Sequence, residues 1–360
     1  MPSVPALLAR TIQTAAAVSP RLAGDLASRL FFTTTPRMPV RDVDAPTHGD
    51  ARRGRLTVRG IDVTTYEWGA GPRTALLLHG WRGRASQFAP LVRELVAERF
   101  RVVSFDAPAH GSSRGRHTDI RDWVDATEQL QAAYGPFALI VGHSFGALAA
   151  TTVARSTVGT PAVVAIAGAA GPDAFLAEFA HELRLDAATR TRLAERFRQR
   201  LGADQATVTA RYDAARHPLP DVTSLLVVHD RDDRRMPDAD SLRLHEAHGD
   251  RSRLLRTDDL GHTRALSADI TLDAVVALAV GGLVAVDALG TASTASTGRH
   301  REARRTSGTR AAAATTTAAT STAATNPPVT STAAMVPNTA MPSPPPSANP
   351  TSWIAPTWPA

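Results

Sequence analysis

The 360-residue chain predicts an α/β protein: a mostly parallel sheet with helices on both faces, a helical insertion and a disordered C-terminal tail. Three observations predict it. Short apolar runs recur at TALLL (74–78), RVVSFD (101–106), FALIVG (137–142), AVVAIAG (162–168) and SLLVVHD (224–230), the pattern of strands buried on both faces. Segments with apolar residues at helical spacing separate them. Among these are PLVRELVAERF and IRDWVDATEQLQAAYG, the second stopping on Gly135 as a helix C-terminus does. From about Gly290 the composition turns to Ala, Thr, Ser and Pro, with too few large apolar side chains to offset the entropy of ordering.

In chain order, residues 1–54 read as a helical or irregular extension and residues 55–289 as the α/β domain. Arg55 to Tyr66 alternates around Gly60 as a hairpin does. Between the strands ending near Gly168 and beginning near Ser224 lie about 55 residues, far more than an ordinary crossover needs. FLAEFAHEL and TRLAERFRQRLG within it are amphipathic, which predicts a helical cap over about residues 172–222. RLLRT (253–257) is a weaker last strand. Ala274 to Val286 is uncharged and bracketed by Asp273 and Asp287, short of the roughly 20 residues that cross a bilayer. It therefore predicts a buried final helix and no membrane span. Residues 290–360 form the tail.

Composition removes several chemistries. Without cysteine there are no disulfides, thiolate metal sites or thiol nucleophiles, and without lysine there is no amine for Schiff-base chemistry. The net charge of +6 sits at the ends, since residues 1–60 hold nine Arg against four Asp and residues 290–360 five Arg against Glu302. The middle of the chain is slightly acidic and lacks aromatic residues interleaved with basic ones, so no nucleic-acid partner is expected. Arg10 and Arg21 interrupt any secretory leader pattern, and a cytoplasmic location is the expectation. No metal or cofactor is called for.

Gly142-His143-Ser144-Phe145-Gly146 follows the run FALIVG and opens the small-residue segment ALAATTVAR. A strand, sharp turn and helix with glycines on either side is what a nucleophilic serine needs to project above a sheet edge. A serine hydroxyl also needs a base, and His262 lies in a loop after the last predicted strand. A carboxylate must hold that imidazole, and the loop Asp230-Arg231-Asp232-Asp233 offers several. Backbone N–H groups of Trp81, after His79-Gly80, and of Phe145 are the expected oxyanion donors. His79 reads as a turn residue, and Trp81 with Phe88 either as plain core, the commoner case for aromatic residues near a sheet edge, or as the lining of an apolar acyl pocket.

Together, HGWRG, FDAPAHGSS, GHSFG, VVHDRDDRRMP and LGHTRAL resemble the motifs of the α/β-hydrolase superfamily, in a bacterial subgroup, over roughly residues 55–285. The resemblance implies the α/β-hydrolase fold and a triad in the chain order Ser, acid, His. In that family's H-G-x-x-D-x-x-x-P pattern the acid maps onto Asp233. Asp230 stands where glycine is usual, which leaves Asp232 in reserve. Asp106 falls on a turn that is structural in the family. Cleavage of a small ester or thioester by a serine-bound acyl intermediate is the leading expectation. Acyl transfer to another acceptor, cofactor-free perhydrolysis and a non-catalytic binding protein are the alternatives, and substrate and oligomeric state stay open.

Overall fold

The structure, a computed structural model, describes residues 4–292. Eight strands form one sheet: β1 (Arg52–Val58), β2 (Ile61–Trp68), β3 (Arg73–Leu78), β4 (Phe100–Asp106), β5 (Phe137–His143), β6 (Ala162–Ile166), β7 (Ser224–Asp230) and β8 (Ser252–Thr257). Their order is β1-β2-β4-β3-β5-β6-β7-β8. β1 and β2 are antiparallel to each other, and β2 to β4, while every later pair is parallel. The hairpin turns at Arg59 and Gly60, both at positive φ, the geometry that suits a two-residue connection between twisted strands. This is the α/β-hydrolase fold that the sequence predicts.

The chain leaves β3 towards β4 on one side and returns to β5 on the other. The connections diverge there and open a crevice beyond the carboxyl ends of β3 and β5, where open α/β sheets bind ligands.

Twelve helices complete the described residues: α1 (Val4–Val18), α2 (Pro20–Phe31), α3 (Ala45–Gly49), α4 (Ala89–Ala97), α5 (Ile120–Tyr134), α6 (Phe145–Val153), α7 (Pro172–Glu182), α8 (Ala187–Leu201), α9 (Gln205–Tyr212), α10 (Ala239–His248), α11 (Gly261–Arg264) and α12 (Asp269–Ala292). Successive strand residues point to opposite faces and so feed two cores. Leu76, Leu78, Ile140 and Val227 meet Trp123 and Leu130 of α5 and Leu148 of α6. Leu77, Leu139, Val141 and Val228 meet Leu91 and Leu95 of α4 and Val275 and Leu278 of α12. Full burial of each such side chain is worth about 1.5–3 kcal/mol.

The long interval between β6 and β7 carries α7, α8 and α9. Asp186 and Asp204 cap the starts of α8 and α9 through the Thr189 and Thr207 N–H groups, and Gly202 ends α8 in the left-handed conformation. Arg155, just beyond α6, donates to the carbonyls of Ala210, Arg211, Asp213 and His217 and so ties the end of α9 to the body.

Two expectations, for Phe88 and for the final helix, need correction. Phe88 is fully buried in the α4 and α12 core, on the far side of the sheet from the crevice, because periodicity places a residue in a core without saying which one. The final helix runs from Asp269 to Ala292 and bends at Gly282 (φ 69°); its first turns are buried, but Val280 and Val284 are exposed. By length and composition alone, Asp269–Leu289 passes as long and apolar enough to cross a membrane, although its first half packs on the sheet. The predicted disordered tail lies outside the described residues, apart from residues 290–292, which continue α12.

Candidate active site

β5 ends at His143, and Ser144 makes the turn into α6 at φ 56°, ψ −121°. A non-glycine residue rarely holds that backbone shape unless its surroundings impose it. Here the Ser144 N–H donates to the Ile166 carbonyl of β6 at 2.8 Å. A Cβ on Gly142 would sit 2.1 Å from the Gly146 oxygen, and one on Gly146 would sit 1.9 Å from the Leu78 oxygen. Both glycines are therefore required for β5, α6 and β3 to come this close.

The turn after β3 is fixed from below. His79, fully buried, accepts the Ala107 N–H at Nε2 (2.9 Å), which leaves its Nδ1–H to donate to the Gly80 carbonyl (2.8 Å). Burial pushes its pKa down, in keeping with a neutral structural ring. His110 accepts the Arg82 N–H at 2.9 Å and is likewise held neutral by burial, its pKa lowered to about 3. Asp106 gathers the N–H groups of Ala85 (2.8 Å) and Ser112 (2.7 Å) and the Tyr66 hydroxyl (2.9 Å). The Gly83 N–H goes to the Gly80 carbonyl. Among the described residues no acceptor takes the Trp81 or the Phe145 N–H.

His262 stands on α11, after β8, with Nδ1 2.7 Å from Asp233 Oδ2. The other Asp233 oxygen accepts the N–H groups of Arg235 (2.8 Å) and Met236 (3.0 Å). Behind the carboxylate, buried His229 donates from Nε2 to the Met236 carbonyl (2.7 Å) and lies 3.4 Å from Asp233 Oδ2. Burial alone would raise the Asp233 pKa, but hydrogen bonds from His229, His262 and the Arg235 N–H outweigh it and hold the carboxyl well below its usual range. Asp232 is exposed, and its carboxylate accepts the Asp259 N–H instead.

Asp230, unusual at its position, accepts the N–H groups of Gly261 (2.8 Å) and Leu260 (3.1 Å), the Asp232 N–H (3.0 Å) and the Thr257 hydroxyl (2.7 Å). Its carboxylate grips the loop that presents His262. From the other side His143 Nε2 donates to the His262 carbonyl at 2.9 Å, and burial lowers the His143 pKa to about 3, keeping this ring neutral.

Ser144, His262, Trp81 and Phe145 open into one cavity of about 780 Å³. Among the described residues no hydrogen bond joins the Ser144 hydroxyl to the imidazole, and such catalytic bonds commonly tighten only in a reacting complex. Sequence reasoning missed His110, His143 and the hold of Asp230. Only the presence of His110 in FDAPAHGSS and His143 in GHSFG hinted at the first two.

The alpha/beta hydrolase family model matches residues 75–274. A pimeloyl-[acyl-carrier protein] methyl ester esterase from Sodalis glossinidius is 33% identical over 175 residues, 44% of this chain and 65% of that protein. One from Stenotrophomonas maltophilia is 38% identical over 96 residues, 27% of this chain and 34% of its own length. The chain thus spans less than two thirds of either relative. Among solved structures, mouse alpha/beta hydrolase domain-containing protein 10 superposes with a TM-score of 0.51 at 15% identity, over 66% of this chain and 100% of that one.

Proposed function

The chain belongs to the alpha/beta hydrolase family, and from that premise we propose that it is a serine hydrolase cleaving a small carboxylic ester or thioester. The observation that carries the reading is a serine held at positive φ on the β5–α6 elbow, facing the same cavity as a histidine whose Nδ1 lies 2.7 Å from a buried carboxylate. The relatives' names, both methyl ester esterases, support an ester as substrate.

In this reading Ser144 Oγ attacks the carbonyl carbon and passes its proton to His262 Nε2, the nitrogen left free by the bond from Nδ1–H to Asp233. The Trp81 and Phe145 N–H groups receive the oxyanion. Collapse of the tetrahedral adduct expels the alcohol or thiol, which takes the proton from His262, and leaves an ester of Ser144. Water repeats the sequence and releases the acid. Asp233 holds the tautomer that makes Nε2 the acceptor, Asp230 and His143 fix the loop, and residues 172–222 serve as the cap.

Labelling with a fluorophosphonate tests this. Rapid modification of Ser144, located by peptide mass spectrometry and slowed by about 10³-fold or more in His262→Ala, is expected. A folded wild-type protein that does not label would refute the activated serine.

A further inference from the structure

The cavity beyond Ser144 is walled in part by residues that lie outside the matched family region. Leu8 of α1, Leu30 and Phe31 of α2, and Phe32, Thr33 and Pro36 just after it contribute to its wall. We propose that this N-terminal helical pair is the second half of the lid, and that Phe31 and Phe32 set how long an acyl chain the site accepts. The inference rests on the serine hydrolase reading above.

Four sets of contacts seat the pair over the cavity. Phe31 meets Phe179 of α7 edge-on at 5.2 Å and Phe197 of α8 at 6.1 Å, and Phe32 stacks on Phe197 at 6.1 Å. The Thr33 carbonyl accepts from both Trp81 Nε1 and Arg82 Nε, each at 3.2 Å, which stitches the segment to the turn carrying the proposed oxyanion donor. On the outer side Asp25 pairs with Arg192 (3.1 Å) and Arg196 (2.6 Å), and a Cβ on Gly24 would lie 2.2 Å from Arg192 Cγ, so α2 and α8 are in close packing. The Gln13 amide donates to the Leu183 carbonyl at 3.1 Å, joining α1 to the end of α7.

The cavity is therefore walled by the rings of Trp81, Phe145 and Phe175, in contact through Phe145 beside Ser144, and by those of Phe31, Phe32 and Phe197, of which Phe32 reaches Trp81 at 6.4 Å. An acyl group bonded to Ser144 can extend along these rings, in a cavity whose wall also carries charged residues such as Asp119, Glu178 and Arg235. In the proposal the rings select an ester or thioester of an apolar acyl chain, and Phe31 and Phe32 mark where such a chain ends. The guanidinium of Arg200 lies 4.3 Å over the Phe32 ring and braces it from outside.

The experiment compares kcat/KM along p-nitrophenyl esters from acetate to palmitate. Phe31→Ala and Phe32→Ala should move the preferred chain to longer acyl groups, raising the long-to-short ratio about tenfold or more, while Phe31→Trp moves it to shorter ones. Opposite shifts from removing and enlarging one ring do not follow from loss of stability. An unchanged order of preference in folded variants overturns the proposal. A measurement on the wild type stands beside it, in which an alkyl fluorophosphonate with a terminal diazirine is attached to Ser144 and photolysed. Crosslinks to residues 30–36 are expected, and crosslinks confined to α7–α9 or to the sheet overturn the lid role of α2. Failure of the probe to attach at all would instead count against the hydrolase reading.

Discussion

At the carboxyl edge of the sheet, the groups that hold the proposed chemistry are mostly buried and densely hydrogen-bonded. Asp230 takes four donors, Asp233 takes two backbone N–H groups besides His262, and His79, His110 and His143 each bind a fixed backbone atom. Over that edge the lid meets itself through aromatic rings 5–6 Å apart and through ion pairs such as Arg196 with Asp25, about a third of each side chain being exposed. A lost hydrogen bond in a dry site leaves a charged or polar group unpaired, whereas rings can slide and refill space. In the proposed reading, reaction geometry is thus fixed where burial makes error costly, and substrate choice resides where packing can change cheaply.

The contrast can be broken first at the acid. Asp233→Asn should lower kcat by about 10³–10⁴-fold, because an amide no longer holds the productive imidazole tautomer. Asp232→Asn should leave kcat within about twofold, since its carboxylate bonds only a loop N–H on the surface. Steady-state kinetics on one ester decides between them, and an equal loss in both would remove the distinction between neighbouring aspartates.

Next in size is Asp230→Ala. It strands three backbone N–H groups and a threonine hydroxyl, and a misplacement of His262 of about 1 Å costs on the order of 10²-fold in rate. A lower melting temperature should accompany the lower kcat. Normal activity with lowered stability would make Asp230 a fold residue alone.

The smallest effect belongs to the lid. Hydrogen bonding by Arg196, followed by the charge of Arg192, brings the Asp25 pKa down from 3.8 to about 2. A carboxylate with a depressed folded-state pKa stabilises fully above its unfolded value and loses that contribution as pH falls through the folded one, so the window here runs from about 3.8 down to about 2. Asp25→Asn should cost at most about 1 kcal/mol at pH 6, given the solvent exposure of the pair. Thermal melts of wild type and variant should converge near pH 2 and in high salt. A gap that persists under both conditions would mean packing, not charge, seats α2.

The difference between the two regions also explains what the sequence disclosed. Buried strands have a one-dimensional signature, and GHSFG is a local motif whose turn is dictated by its own glycines, so sheet and elbow were legible. The residues alone left the choice among Asp230, Asp232 and Asp233 open, and only the family resemblance favoured Asp233, because the partners of Asp230 and Asp233 arrive from residues 257–262, about 30 positions away. Residues 1–54 read only as an extension for the same reason. Phe31 gains its role from rings near positions 179 and 197, and Phe88 shares its apolar character but faces the opposite side of the sheet.

The bond from His143 to the His262 carbonyl joins residues 119 positions apart, across a site whose parts issue from β3, β5, β7 and β8. Closing so large a loop is entropically slow, so competence must appear late in folding, after β7 and β8 have paired. Reactivity at Ser144 during refolding would therefore act as a clock for completion of the sheet, lagging behind any signal from secondary structure.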